Sequence, residues 1–113
     1  MQKIAEKRVR PFIGDHPTID ERFLIHSTGA GHTLLAGTVM GRKDGKTGPW
    51  VATATPLGIL MEDVAVPAAG DAWAPFYTHC EAIADGLVWA DGVSAADQQT
   101  AIADLRKLGI FVR

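Results

Sequence analysis

The sequence lacks the features that mark several specialised protein classes. It contains a single cysteine, Cys80, so no internal disulfide can form and a disulfide-stapled secreted scaffold is excluded. No apolar run approaches the ~20 residues that a membrane span needs. The first ten residues also lack the apolar core of a signal peptide. We therefore expect a soluble protein with no membrane partner.

An excess of positive charge is also absent. The chain has 11 Lys and Arg residues against 13 Asp and Glu residues, which gives a net charge of −2. Proteins dedicated to nucleic acid carry basic surfaces, because phosphate contacts supply most of their affinity. Direct binding of nucleic acid is therefore disfavoured.

What is present is the composition of one globular domain. The chain has 113 residues, of which 47% are hydrophobic and 21% charged. A chain of this length can bury roughly two-thirds of its unfolded surface and so form a real core. The 12 glycines and 6 prolines indicate many turns.

Residues 1–22 differ from the rest and are predicted to form a separate N-terminal segment before a domain at 23–113. The first ten residues carry four basic side chains against one acidic, and Pro11 and Pro17 disfavour regular structure. The segment is either a frayed, solvated terminus or an extended arm that orders on a partner. Its apolar residues favour the arm, and these are Ile4, Val9, Phe12 and Ile13.

The domain is predicted to be α+β: compact and mostly β, with short strands, one C-terminal helix and a terminal strand. Ser94 and Gly109 bound the helix, as an N-cap and a C-terminal stop. A helical turn is predicted at 84–89. The predicted strands are 23–26, 33–42, 50–55, 57–64, 73–84 and 110–113.

The stretch GRKDGKTG, residues 41–48, resembles a phosphate-binding loop but does not satisfy its rules. The first glycine of that motif would fall at Met40, and a strand rather than a helix is predicted to follow Gly48–Pro49. Asp44–Gly45 instead predicts a tight turn between two strands. A small-molecule or nucleotide-binding module that uses residues 41–48 stays as the alternative function.

No arrangement of residues predicts catalysis. No two histidines have the i, i+4 spacing of a zinc enzyme, although a metal-dependent hydrolase built from His26, His32 and a carboxylate remains a further hypothesis. In a strand, Cys80 points away from the face that carries His79 and Glu81, so it is predicted to be a buried apolar residue. We therefore expect no enzyme and no cofactor.

Four short motifs in one order carry a family resemblance. They are LAGTVMGR at 35–42, PLGILMEDV at 56–64, DGLVW at 85–89 and AIADLRKLGIFVR at 101–113. Together they resemble the head decoration proteins of tailed phages, the family of the phage lambda decoration protein D. The resemblance covers about residues 30–113.

The resemblance implies a structural protein with a β-tulip-like decoration domain. Such proteins form homotrimers at local threefold positions of the expanded capsid and stabilise the head against DNA pressure. It further implies synthesis in the host cytoplasm, a place on the outer surface of the virion and contact between the N-terminal arm and the major capsid protein. By position alone, the arm residues assigned to this contact are Lys7, Arg8, Val9, Arg10, Pro11, Phe12 and Ile13.

Overall fold

A computed structural model describes residues 12–113 of the chain. These residues form eight strands, one α-helix and a 3-10 turn at Ala84–Gly86. The strands are β1 (Ile19–Ile25), β2 (His32–Leu34), β3 (Val39–Lys43), β4 (Lys46–Pro49), β5 (Thr55–Leu60), β6 (Val64–Val66), β7 (Ala72–Ala82) and β8 (Ile110–Val112), and the helix is α1 (Ala95–Leu108).

Strand β7 organises the main sheet. The strand order is β1-β7-β5-β3-β4, and β8 pairs with the end of β7. All these pairings are antiparallel except β7–β8, which is parallel and aligns Cys80 with Ile110. Strands β2 and β6 form a separate two-stranded sheet. The predicted α+β class, mostly β with one helix and a terminal strand, is confirmed.

The core lies on both faces of the main sheet. Two clusters of buried side chains form there, and neighbours along a strand fall into different clusters. Val39 and Ile59 belong to one cluster, whereas their neighbours Met40 and Leu60 belong to the other. Successive side chains of a strand point to opposite faces, so the central strands β3, β5 and β7 contribute to both clusters.

Helix α1 begins and ends where the sequence predicts. The Ser94 hydroxyl accepts a hydrogen bond from the Asp97 backbone N–H at 3.1 Å. Gly109 takes a left-handed conformation with φ 102°, and its N–H bonds to the Arg106 carbonyl. Ala101 and Leu105 are fully buried against the sheet. The glycine then turns the chain directly into β8.

Two predicted strands are each split in the structure. The run 33–42 divides into β2 and β3 because Gly37, with φ 95°, turns the chain between them. The run 57–64 divides into β5 and β6, and Asp63 between them accepts a hydrogen bond from the Ala36 N–H at 2.8 Å. This hydrogen bond thus links the β2–β3 connection to the β5–β6 connection, 27 residues further along the sequence.

The predicted strand at 50–55 is wrong over most of its length. Residues 51–54 form a turn in which Thr53 has φ 74°, and the strand after the hairpin is β4 instead. Trp50 is the cause of this turn. Its side chain is 2% exposed, and its indole N–H donates to the Ala54 carbonyl at 2.9 Å. The apparent alternation therefore comes from one buried tryptophan and the turn that closes over it.

A methyl group at Gly58 should be costly because β7 passes directly beside it. A Cβ at this position would collide with the Tyr77 carbonyl oxygen, which is backbone and cannot rotate away. We expect Gly58→Ala to lower the free energy of unfolding by about 1–3 kcal/mol, as overpacking does. Gly48→Ala is the matched control, because no atom lies within 4 Å of its Cβ. Urea unfolding of both variants tests this, and equal midpoints would contradict it.

Candidate functional site

The start of the described chain packs on the domain. Phe12 is 8% exposed, its ring lies edge-on to Tyr77 at 6.1 Å, and its carbonyl accepts the Ile83 N–H at 2.8 Å. Ile13 forms an antiparallel bridge with Ala82. Of the residues assigned to the capsid contact, Lys7 to Pro11 lie outside the described residues.

Glu81 on β7 holds the residues that follow. Its carbonyl accepts the Gly14 N–H at 2.8 Å, and its carboxylate oxygen Oε1 accepts the Asp15 N–H at 3.1 Å. The other oxygen, Oε2, pairs with the Arg113 guanidinium at 2.9 Å. A Cβ on Gly14 would collide with the Glu81 carboxylate, so any larger residue there would displace that side chain from its present bonds. One carboxylate therefore joins the N-terminal segment, β7 and the residue after β8.

Before β1 begins, His16 of this segment contacts His79 of β7. The Nε2 atoms of His16 and His79 are 2.8 Å apart, so one ring donates and the other accepts. Both rings lie edge-on to Phe111 at 6.0 Å. Residues 12–16 are thus fixed along the end of β7, and we call this stretch the arm root. Strand β1 starts at Ile19, inside the predicted segment 1–22.

A few large apolar side chains stay on the surface. Trp73 is the most exposed at 61%, and it lies opposite Leu24 in the β1–β7 pairing. Trp50, by contrast, is buried and packs edge-on against Trp89. Among residues 12–113, the exposed large apolar side chains are those of Ile19, Leu35, Val51, Trp73, Leu108 and Phe111. Trp73 is therefore the natural candidate for a contact with another protein surface.

Residues 41–48 form a hairpin between β3 and β4. Asp44 and Gly45 both have positive φ, 54° and 76°, as a two-residue type I′ turn requires. Lys43 pairs with Lys46, and strand β4 starts directly at Lys46. The helix N-terminus that a phosphate-binding loop needs does not follow the turn. The predicted tight turn at Asp44–Gly45 is confirmed, but the second strand of the hairpin is β4 and not the predicted strand at 50–55.

A cavity of about 360 Å³ opens beside this hairpin, and both His26 and His32 line it. His26 serves the fold there, because its Nδ1 accepts the Thr47 N–H at 2.9 Å and its backbone N–H donates to the Thr47 carbonyl. The Nδ1 atom of His32 bonds to the Ala30 carbonyl at 3.0 Å. Over residues 12–113, no group of three or more His, Cys, Asp and Glu side chains converges as a metal site. The third ligand that a hydrolase centre needs is thus missing from the described part.

Cys80 is fully buried and faces away from His79 and Glu81, which are half-buried. Burial raises the pKa of its thiol to about 11. Since the thiolate is the reactive form, a raised pKa makes this cysteine inert. The prediction of a buried apolar cysteine is confirmed.

Alkylation of Cys80 should accordingly be slow in the native protein. At pH 8 the thiolate fraction should be roughly a hundredfold below that of an ordinary thiol, and burial adds a steric block. We expect a thiol reagent to label the protein at least that much faster in urea than in buffer. The unfolded chain also ionises this thiol first, so the free energy of unfolding should fall as pH rises from about 9 towards 11. Equal labelling rates in urea and buffer would contradict the buried thiol.

A comparison with protein families identifies the family of this chain. A family model described as bacteriophage lambda head decoration protein D matches residues 20–110, well over half of the chain. The chain belongs to this family. The match runs from the second residue of β1 to the first residue of β8, so it takes in the helix and nearly all of both sheets. The comparison with curated proteins found no match.

Membership in the head decoration family confirms the resemblance given by the four motifs. It supports a capsid decoration role, association with the phage capsid and a place in the virion, and members of the family are structural proteins. The arm root lies upstream of the matched residues. Within residues 12–113, no helix is long and apolar enough to cross a membrane.

Proposed function

We propose that this protein binds as a homotrimer at local threefold positions of the expanded phage capsid and stabilises the head against the pressure of packaged DNA. The proposal is carried by the family match over residues 20–110. The contact with the major capsid protein is made on the outer surface of the shell, after synthesis in the host cytoplasm. If the sites exist only on the expanded shell, binding selects that state by its differential affinity.

In this proposal the segment 1–22 acts as the arm, and its last four residues, 19–22, anchor it in the main sheet as the start of β1. Phe12 and Ile13 act from its root, since both pack on the domain at the end of β7. Lys7, Arg8, Val9, Arg10 and Pro11 then make the contact with the capsid protein. A trimer offers three such arms at once, and linkage of this kind raises avidity by about 10²–10⁴ over one arm. Modest single contacts are therefore sufficient for a stable clamp.

Trp73 is the residue that we assign to the contact between subunits. It is 61% exposed, and tryptophan is enriched among the residues that dominate binding energy at interfaces. It lies on β7 opposite Leu24 of β1, and β1 stands at one end of the sheet order. A second copy of the chain that covers this edge would bury the largest exposed apolar side chain of the domain.

Two measurements test the proposal. Electron microscopy of purified expanded shells, with and without the protein, should reveal added density at threefold positions that saturates with concentration. Light scattering should give a trimer for the unmodified chain and a monomer for Trp73→Ser. Leu108→Ser is the matched control, because Leu108 is 49% exposed but lies on α1. A monomer at every concentration, or shells without added density, would overturn the proposal.

A further inference from the structure

Two imidazole rings from distant parts of the chain converge at the arm root. His16 and His79 are 63 residues apart in sequence, yet their Nε2 atoms are 2.8 Å apart. Phe111 lies against both rings at 81° and 86°, which sets their orientation. On the far side of His79, a Cβ at Gly109 would come within 2.6 Å of Nδ1, so the backbone of the C-cap closes that side. The Nε2 atoms of the two rings therefore face each other across the space between His16 and His79.

The surroundings leave the two rings accessible. His16 is exposed and His79 is half-buried, so an ion from solvent can reach them. The Glu81 carboxylate, at the other end of the arm root, is engaged by Arg113 and by a backbone N–H. Arg106 stands over the Phe111 ring at 5.9 Å, which holds that cation against an aromatic face.

We propose that His16 and His79 form a two-imidazole binding site for a divalent transition-metal ion of the Zn²⁺, Ni²⁺ and Cu²⁺ class. The inference goes beyond the proposed function and does not depend on it. Imidazole nitrogen suits these ions, whereas Mg²⁺ and Ca²⁺ require oxygen ligands. Over residues 12–113 no third protein ligand joins the pair. Water therefore completes the coordination sphere, and chelators should compete well.

The geometry needs only a small adjustment. Metal–nitrogen bonds of about 2.0–2.1 Å place two nitrogens roughly 2.9 Å apart at the 90° angles of Ni²⁺ and Cu²⁺, and roughly 3.3 Å apart at the tetrahedral angles of Zn²⁺. The rings must then separate by at most about half an ångström from their 2.8 Å contact and tilt towards the ion, and the exposed His16 segment before β1 can supply both movements. Both Nε2 lone pairs must face the ion, so the ring that donates in the metal-free pair carries its proton on Nδ1 instead. The ion then replaces the shared hydrogen as the link between the arm root and β7.

Ni²⁺ binding to the full chain tests the site. Calorimetry should give one saturable site per chain, and excess Ni²⁺ should raise the melting temperature, because a ligand of the native state stabilises it. His16→Ala and His79→Ala should each weaken binding about tenfold or more, as loss of a metal-site partner does. His32→Ala is the matched control, since the His32 ring bonds to the Ala30 carbonyl and not to a second imidazole.

A spectroscopic measurement gives the position of the ion. Substoichiometric Cu²⁺ is paramagnetic and should broaden the ring signals of His16 and His79 before those of His26 and His32. If His79→Ala fails to fold, the exposed His16→Ala variant still decides the outcome. The proposal is wrong if the unmodified chain has no saturable Ni²⁺ binding. It is also wrong if His32→Ala loses as much affinity as His16→Ala, or if His26 and His32 broaden first.

Discussion

A chain that begins at residue 12 should fold normally yet leave expanded shells bare. It keeps Phe12 in the core and every bond between the arm root and Glu81. It loses the residues assigned to the capsid contact, from Lys7 to Pro11. Because all three arms are removed from each trimer at once, apparent affinity should fall by more than the roughly 10²–10⁴ that linkage of three arms adds over one arm. Co-sedimentation with purified shells measures the binding, and circular dichroism checks the fold.

A longer truncation serves as the contrast. Removal of residues 1–22 takes Phe12 out of the core and deletes β1 from Ile19 to Arg22, so we expect this variant to unfold. The two truncations therefore separate binding from stability, and only the shorter one gives an interpretable loss of binding. If the chain that begins at residue 12 saturates shells as the full chain does, the arm has no role in decoration.

Phe76→Ala should produce the largest loss of stability among simple core substitutions. Phe76 is 0% exposed, stacks on Phe23 with ring centroids 4.7 Å apart, and lies in β7 where that strand pairs with both β1 and β5. Truncation of a buried phenylalanine costs about 3–5 kcal/mol, because a cavity remains where the ring was. Domains of this size are stable by only about 5–15 kcal/mol, so the variant should be close to unfolding. Guanidinium unfolding gives the difference directly.

The same substitution at Phe111 is the control for this loss. Phe111 is 38% exposed and packs against side chains that are themselves partly in solvent. Its truncation should cost about 1 kcal/mol, within the common range for point variants. Equal losses at Phe76 and Phe111 would mean that the centre of β7 is not the main core of the domain.

The sequence predicts best where the signal is local. Ser94 and Gly109 bound helix α1 through bonds to residues three positions away, and both bonds form. Asp44–Gly45 predicts the hairpin turn for the same reason. A type I′ turn needs positive φ at two adjacent residues, and Asp-Gly is one of the few dipeptides that adopt this conformation readily. The terminal strand also forms, because its apolar residues directly follow a helix stop.

Strand ends were predicted poorly because distant contacts set them. The break between β2 and β3 is held by the Gly37 N–H bonded to the Leu60 carbonyl at 2.8 Å. Trp50 ends β4 by packing into the core and bonding across a turn. A short window of sequence shows neither the Leu60 partner of Gly37 nor the core residues around Trp50. Alternation alone therefore predicts a strand at 50–55.

The arm root is the part of the site that sequence reasoning missed. Glu81 lies 66 residues from Asp15, and no periodicity or motif connects them. His16 and His79 are 63 residues apart, so no local spacing connects them either. The family, by contrast, was accessible, because four short motifs kept their order along the chain and the family match confirms them.

Glu81 also brings the two ends of the described chain together. Asp15 and Arg113 bond to the two oxygens of one carboxylate. A short linker from Arg113 to Phe12 would therefore permit circular permutation, with new termini opened at the exposed Asp44–Gly45 turn. Such a chain would keep every strand pairing of both sheets while residues 1–11 lose their attachment. The connectivity of the domain is thus independent of the segment proposed to bind the shell.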